Sequence, residues 1–273
     1  MDFFKYEAAG NDFVMLDCRG GEPDITPVRA RFLCDRHGGI GADGIIMLLP
    51  SDSAEARMRI INADGTDAEM YGNGVRALFL FALDIGAVDG DEMSLETAAG
   101  PRTVRRVGSG TFEVDMGVPR MRRGDVPVEG PPDDEALHVA VEVPGTGTFD
   151  CSCVSMGNPH CVVFVDDLDE YPAAVVGPLI ERLPAFPART NVEFVRVAGE
   201  GLEVRVWERG AGETQACGTG ACAALVAASS RGLVPRKATV SLPGGDLYID
   251  WREHVFMTGP ARRVFEGRID EDR

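Results

Sequence analysis

Cys217 opens the run Cys217-Gly218-Thr219-Gly220-Ala221-Cys222-Ala223-Ala224-Leu225, a thiol set directly before a glycine-rich turn and a stretch of small apolar residues. The first turn of a helix leaves backbone N–H groups without acceptors and carries partial positive charge, so it binds anions, and glycines let a ligand come close. A thiol at such a place is expected to have its pKa lowered from about 8.5, giving a nucleophile or base near neutral pH. Glu208, Arg209, Glu213, Thr214 and Gln215 crowd just before it, many hydrogen-bonding groups for a purely structural turn. The competing reading makes Cys217 a buried cap residue and the glycines a means of tight helix packing, because Gly-x-Gly before a helix is weakly diagnostic.

The run has a counterpart. At an offset of 146 positions, Tyr71-Gly72-Asn73-Gly74-Val75-Arg76-Ala77-Leu78-Phe79 has the same shape but begins with a phenol instead of a thiol. The offset continues upstream, where Arg59 to Gly65 matches Arg205 to Ala211, and downstream, where Gly86-Ala87-Val88 matches Gly232-Leu233-Val234. Further back, Gly10-Asn11-Asp12-Phe13 corresponds to Gly157-Asn158-Pro159-His160 at an offset of 147. An internal repeat of this length points to two copies of one α/β unit. Two helix starts facing each other would hold a carboxylate. Asn11 and Asn158 occupy equivalent places, so both or neither should face a site. Asn62, Asp64, Thr66, Asp67 and Glu69 crowd before Tyr71, as a site or a solvated loop would. His160 beside an apolar strand reads as structural or as a site residue; His37, His138 and His254 are assigned no role.

The elements that must position these residues repeat in the same way. Met58 to Ile61 and Leu202 to Trp207 are short segments rich in branched and aromatic residues, as strands are. Val75 to Ile85 and Ala221 to Ser229 are nearly continuously apolar, which predicts helices buried on most sides, with Gly86 and Gly232 as their stops. Thr26-Pro27 predicts an N-cap and first turn for an amphipathic helix running to about Arg36. Gly117 to about Gly147 is rich in Pro, Gly and acidic residues and reads as the crossing between units, with little helix of its own. The last dozen residues, after Gly259-Pro260, can return to the first unit. The expected division is 1–117, joined by about 262–273, and 118–261.

Composition narrows the partners. With 27 Lys and Arg against 44 Asp and Glu, the formal charge of −17 repels phosphate backbones and anionic lipid surfaces, so neither nucleic acid nor a membrane is an expected partner. The N-terminus has no basic stretch followed by an apolar run, and nowhere do 18 apolar residues stand together, so the expected location is cytoplasmic. Seven scattered cysteines do not read as a disulfide framework, and Cys18, Cys34, Cys153 and Cys161 read as core fillers. Cys151-Ser152-Cys153 has one spacer and no second pair at ligand spacing, so no metal is expected.

Several segments together resemble the diaminopimelate epimerase family along almost the whole chain: Gly10 to Phe13, Asn62 to Gly65, Gly72 to Gly74, Ser155 to His160, Thr190 to Val192, and Glu208 to Gly218. The resemblance implies a cofactor-independent isomerase that interconverts the LL and meso forms of a small amino-acid substrate, diaminopimelate, on the route to lysine and peptidoglycan. It implies an α/β (α+β) fold of two pseudo-symmetric units, each a mixed sheet wrapped around a central helix, with the active site in the cleft between them, and commonly a homodimer. One thiolate would remove the α-proton and the opposite thiol would deliver one to the other face. By position, Cys217 and Tyr71 stand where the two family cysteines belong, with His160 and Glu208 near the acid and base. Asn11, Asn62, Asn158, Asn191, Glu208 and Arg209 would hold the substrate, and Gly72, Asn73, Gly218 and Thr219 would offer backbone amides. Tyr71 departs from the pattern: a phenol, with a reference pKa of about 10, is larger and a weaker proton exchanger at neutral pH. Three readings stay open. They are an isolated substitution in an ordinary epimerase, a one-base isomerase of another small amino acid using Cys217 alone, and a non-catalytic amino-acid-binding relative.

Overall fold

The computed structural model describes residues 1–68 and 72–270. The chain divides into two compact units, Met1–Asp115 with Thr258–Arg273, and Met116–Met257.

In the first unit the chain forms β1 (Asp2–Ala8), β2 (Asn11–Asp17), α1 (Pro27–Cys34), β3 (Gly44–Leu49), β4 (Ala56–Asn62), β5 (Asp67–Ala68), α2 (Gly72–Asp84), β6 (Glu92–Thr97), β7 (Gly100–Gly108) and β8 (Thr111–Asp115). The second unit contains β9 (Val139–Val143), β10 (Gly147–Ser155), β11 (Pro159–Phe164), α3 (Ala173–Glu181), β12 (Asn191–Ala198), β13 (Gly201–Glu208), β14 (Gly212–Thr214), α4 (Gly218–Ser230), β15 (Lys237–Leu242) and β16 (Gly245–Trp251). The chain leaves it along β17 (Val255–Pro260), and β18 (Arg262–Arg268) then lies antiparallel beside β1.

The two units share one strand plan. Reading across the first, β1 and β2 are antiparallel, β2 and β3 parallel, β3 and β4 antiparallel, β4 and β6 parallel, and β6 and β7 antiparallel. The second repeats that series with β10, β11, β12, β13, β15 and β16. Even the edge additions correspond, β18 on β1 and β9 on β10. Helices α2 and α4 begin and end at the offset of 146 read from sequence.

Each sheet wraps around its second helix. α2 touches β1, β2, β3, β7, β8 and β18, and α4 touches β10, β11, β12, β13, β15 and β16. That enclosure explains the composition of the helices: every residue of α4 from Gly218 to Ala228 is buried, and all are small or aliphatic. α2 fills its own interior with aromatic rings, Phe79 edge-on to Phe112 and Phe81 against Phe4 and Tyr6. On the outer face of each sheet lies the other helix. Ala30 and Leu33 of α1 pack over Val14, Leu16, Ile45 and Met47; Val176 and Ile180 of α3 pack over Cys153, Cys161, Val163, Val192 and Phe194. A strand such as β3 is therefore covered on both faces, and all six of its residues are buried.

The local signals act as their chemistry requires. Thr26 caps α1, its hydroxyl accepting from Arg29 N at 3.2 Å, with Pro27 in the first helical position. The helix stops at Cys34 rather than Arg36, because Asp35 is extended and its carboxylate accepts from the His37 amide. α2 and α4 close alike: Gly86 N and Ala87 N bond to Leu83 O and Ala82 O, and Gly232 N and Leu233 N to Ser229 O and Ala228 O. This pairing needs a left-handed residue, and the two glycines have φ of 64° and 71°. The crossing after Gly117 is not without regular structure. It contains β9, whose Val139-Ala140-Val141-Glu142-Val143 alternates buried and exposed, a period-2 signal that the surrounding Pro and Gly obscured.

A side chain at Gly86 or Gly232 would meet no atom within 4 Å, so a substitution there carries only the backbone cost. Gly86→Ala and Gly232→Ala are each expected to lower stability by about 1–2 kcal/mol, read as a shift of the urea midpoint without loss of helical signal.

Candidate active site

In the second unit the heads of β11 and β12, the tail of β13 and the start of α4 come together. Strand pairing sets this: His160 stands beside Asn191 across the parallel β11–β12 pair, and Val192 beside Trp207 across β12–β13. Alternation along the strands turns Cys161, Val163, Val192 and Phe194 to the α3 side and leaves His160, Asn191 and Glu193 on the α4 side.

Cys217 is the N-cap of α4, its sulfur accepting from Gly220 N at 3.4 Å and lying 3.4 Å from Thr219 Oγ1. The Glu208 carboxyl lies near enough to act electrostatically on the same thiol and accepts from Thr214 Oγ1 at 2.6 Å. On the other side Asn158 Nδ2 donates to Thr219 Oγ1 at 3.3 Å, and Asn158 Oδ1 lies 3.0 Å from His160 Nε2. His160 Nδ1 lies 2.7 Å from Glu193 Oε1, with both side chains fully buried. A line of polar groups thus runs from Glu208 through Cys217, Thr219, Asn158 and His160 to Glu193. Glycine at 220 makes this possible, since a Cβ there would fall 2.7 Å from Glu193 Oε1 and 3.3 Å from the Cys217 sulfur.

The turn after β13 is held from two sides. Asn191 donates to Pro159 O at 2.8 Å and accepts from Arg209 N at 2.9 Å, and the buried carboxylate of Glu181 accepts from Trp207 Nε1 at 2.8 Å and Gly210 N at 3.2 Å. The Arg209 guanidinium is exposed and donates to Ala188 O at 3.2 Å. Glu213 pairs with Arg205 and Gln215 is exposed, so neither joins the line.

In the first unit the equivalent positions form a shorter network. Asn73 Nδ2 donates to Asn11 Oδ1 at 2.7 Å, Asn11 Nδ2 donates to Asp43 Oδ2 at 3.1 Å, and the fully buried Arg76 donates to Asn73 Oδ1 at 2.8 Å and Pro260 O at 3.3 Å. Asn11 and Asn158 therefore do behave alike, each bonded to the second residue of its helix, Asn73 and Thr219. Asn62 donates to Thr66 Oγ1 at 2.9 Å. Gly72 and Gly218 begin their helices and are buried. Tyr71 and Glu69 lie outside the described residues. Among the described residues no group of three or more His, Cys, Asp or Glu could hold a metal ion, and no helix is long and apolar enough to cross a membrane.

The electrostatics correct one expectation. A lowered thiol pKa is expected at a helix start, yet Cys217 is pushed well above its ordinary value, first by burial and then by the carboxylates of Glu208 and Glu193. The Gly220 amide and Thr219 hydroxyl pull the other way and do not overcome this. Glu208 is raised too, because burial of its carboxyl outweighs the hydrogen bond from Thr214 and the pull of nearby Cys217. Near neutral pH and without ligand, Cys217 is a protonated acid.

Glu193, Glu181 and Arg76 are absent from the sequence-derived site. Glu193 and Arg76 are each a charge inside an apolar run, and since buried charges must be matched by partners, that pattern was the available signal; Glu181 stands next to Arg182 and gave none.

The profile of the diaminopimelate epimerase family matches residues 3–122 and 152–264. The chain belongs to the diaminopimelate epimerase family. It is 49% identical over 276 residues to the diaminopimelate epimerase of Pelotomaculum thermopropionicum, covering 98% of each chain. The diaminopimelate epimerase of Moorella thermoacetica is 48% identical over 281 residues, with full coverage of both. Solved structures extend the likeness in fold alone. A probable proline racemase from Agrobacterium radiobacter superposes with a TM-score of 0.75 at 18% identity, over 99% of this chain and 93% of the other. A hydroxyproline epimerase from Agrobacterium vitis gives 0.73 at 16%, over 100% and 93%. Diaminopimelate epimerase relatives and these racemase folds agree with the two pseudo-symmetric units seen here.

Two outcomes follow for this family member. Because the folded Cys217 thiol is raised, the unfolded chain loses a proton above about pH 8.5 that the folded chain keeps, so stability falls as pH rises through that window toward the folded value. Cys217→Ala is expected to flatten part of that fall, measured as its Tm relative to the parent between pH 7 and about 10. Gly220→Ala is expected to disturb the Glu193 and Cys217 positions and cut activity by at least about tenfold, with helical circular dichroism retained.

Proposed function

We propose that this chain catalyses interconversion of LL- and meso-diaminopimelate by α-proton transfer, without cofactor, with Cys217 as the competent acid–base thiol and with turnover limited by Tyr71. The observation that carries the reading is the position of Cys217 as the cap of α4, beside Glu208, within a chain that matches family members from end to end.

The chemistry divides by the protonation of the thiol. As a thiol, Cys217 delivers its proton to the α-carbanion of the substrate. In the reverse direction it must first be ionised, and the adjacent Glu208 carboxylate is the group able to take that proton. The carbanion is stabilised as its charge spreads onto the substrate carboxylate, which the free amides and positive end of a helix start would neutralise. Asn11, Asn62, Asn158, Asn191 and Arg209 are proposed to hold the substrate, with the amides of Gly72, Asn73, Gly218 and Thr219 on its carboxylate. Tyr71 would exchange protons at the opposite face. A phenol with a reference pKa of about 10 stays protonated near neutrality, so it can return a proton but seldom remove one. The expectations of a homodimer and a cytoplasmic location belong to this reading and rest on the family resemblance.

In deuterium oxide the parent chain is expected to exchange the α-proton of one stereoisomer while net epimerisation stays slow. Tyr71→Cys is expected to raise epimerisation by at least about 10²-fold, followed by chiral chromatography. Rapid epimerisation by the parent would contradict the role given to Tyr71, and absence of exchange even after the substitution would leave a binding protein instead of an enzyme.

A further inference from the structure

Glu193 is an expensive residue to bury where it lies. Its side chain is fully enclosed, Oε1 is bonded to His160 Nδ1, and among the described residues Oε2 has no hydrogen-bond partner. A buried carboxylate with an unmatched oxygen weakens a fold, and an apolar residue of similar size at such a place is often neutral or stabilising.

The repeated architecture shows that the strand plan does not need this pair. In the first unit β2 pairs with β3 so that Phe13 meets Gly44 and Met15 meets Ile46; in the second, β11 pairs with β12 so that His160 meets Asn191 and Val162 meets Glu193. His160 and Glu193 therefore occupy the places of Phe13 and Ile46, both buried and apolar. The same topology is built with hydrocarbon in one unit and with an imidazole and a carboxylate in the other, and the polar version lies on the unit that carries Cys217.

We propose that Glu193 is the positioning residue for His160, its carboxylate holding Nδ1–H so that Nε2–H is presented to Asn158 Oδ1 and, through Thr219, the ring is ordered against Cys217. A carboxylate only accepts, and so does Asn158 Oδ1 at 3.0 Å from Nε2, so each ring nitrogen donates to the acceptor it faces, and the Glu193 bond fixes the proton on Nδ1 and the ring orientation. Asn158 is fixed in turn by its bond to Thr219 Oγ1. Gly220 leaves the room that lets Glu193 reach this depth beside the start of α4. Glu193 itself touches no reacting atom in this scheme. The inference rests on the proposed function, because it describes how the same site is held in order.

The test compares Glu193→Leu, which removes the acceptor, with Glu193→Gln, which keeps an acceptor and removes the charge. Protein labelled with ¹⁵N-histidine reports by NMR which ring nitrogens of His160 carry protons at a fixed pH, independently of turnover. In Glu193→Leu, His160 is expected to lose the proton on Nδ1 and keep Nε2–H, and kcat for α-proton exchange into deuterium oxide to fall about 10²-fold with KM little changed. Glu193→Gln is expected to keep Nδ1–H and lose about tenfold. Neither variant is expected to lower Tm. A proton retained on His160 Nδ1 in Glu193→Leu, or a kcat at the parent value in Glu193→Gln, would overturn the proposal. So would a lowered Tm with unchanged kcat, the mark of a purely structural carboxylate. If the parent exchanges no proton, it is the proposed function that fails, and the NMR measurement of the Nδ1 proton still decides the role of Glu193.

Discussion

A helix enclosed by its own sheet has no solvent face, and this constraint governs where chemistry can reside. α4 is buried from its first residue through Ala228, so its flanks admit only small or aliphatic side chains and every polar function is driven to its ends. The C-terminal end is closed by the Gly232 turn, which satisfies the last carbonyls. The N-terminal end keeps free amide donors and the positive end of the helix dipole, and the strands around it deliver Glu208, Asn158, His160 and Glu193 to that level. The line of polar groups follows from having a buried helix at the centre, because that is where the enclosure opens.

The two units solve the same packing problem with different chemistry. Position for position, Thr219 of the second corresponds to Asn73 of the first, Glu208 to Asn62, Cys222 to Arg76, and His160 and Glu193 to Phe13 and Ile46. The central helix of the first unit carries a buried charge, Arg76, received by Asn73 and the Pro260 carbonyl. The central helix of the second, α4, carries none, and the charge beside its start is Glu193 on a strand. A fold that accepts either arrangement leaves the site free to vary, and in this chain the variation concentrates acid–base groups around Cys217.

That concentration reverses a local rule. A helix start lowers the pKa of a thiol in water, where the dipole acts on an anion that solvent already stabilises. At Cys217 the solvent is gone and two carboxylates face the sulfur, so burial and like-charge repulsion exceed the pull of one amide and one hydroxyl. The free enzyme holds the thiol protonated, and only a change in its surroundings, such as an approaching ammonium or loss of a facing negative charge, would favour the thiolate.

Much of this was legible in the sequence. The repeat, the caps at Thr26, Gly86 and Gly232, the two buried helices and the family follow from short-range patterns: residue spacing, turn chemistry and hydrophobic period depend on near neighbours in the chain. Cys217, His160, Glu208 and the paired asparagines were visible for the same reason, each standing beside a glycine-rich turn. Glu193 was not, because one acidic residue in an apolar strand shows that it must be matched without showing by what; the match, His160, comes from a neighbouring strand. The direction of the Cys217 shift was equally out of reach. It depends on desolvation and on carboxylates brought to the sulfur by strand pairing, quantities that only the folded chain possesses.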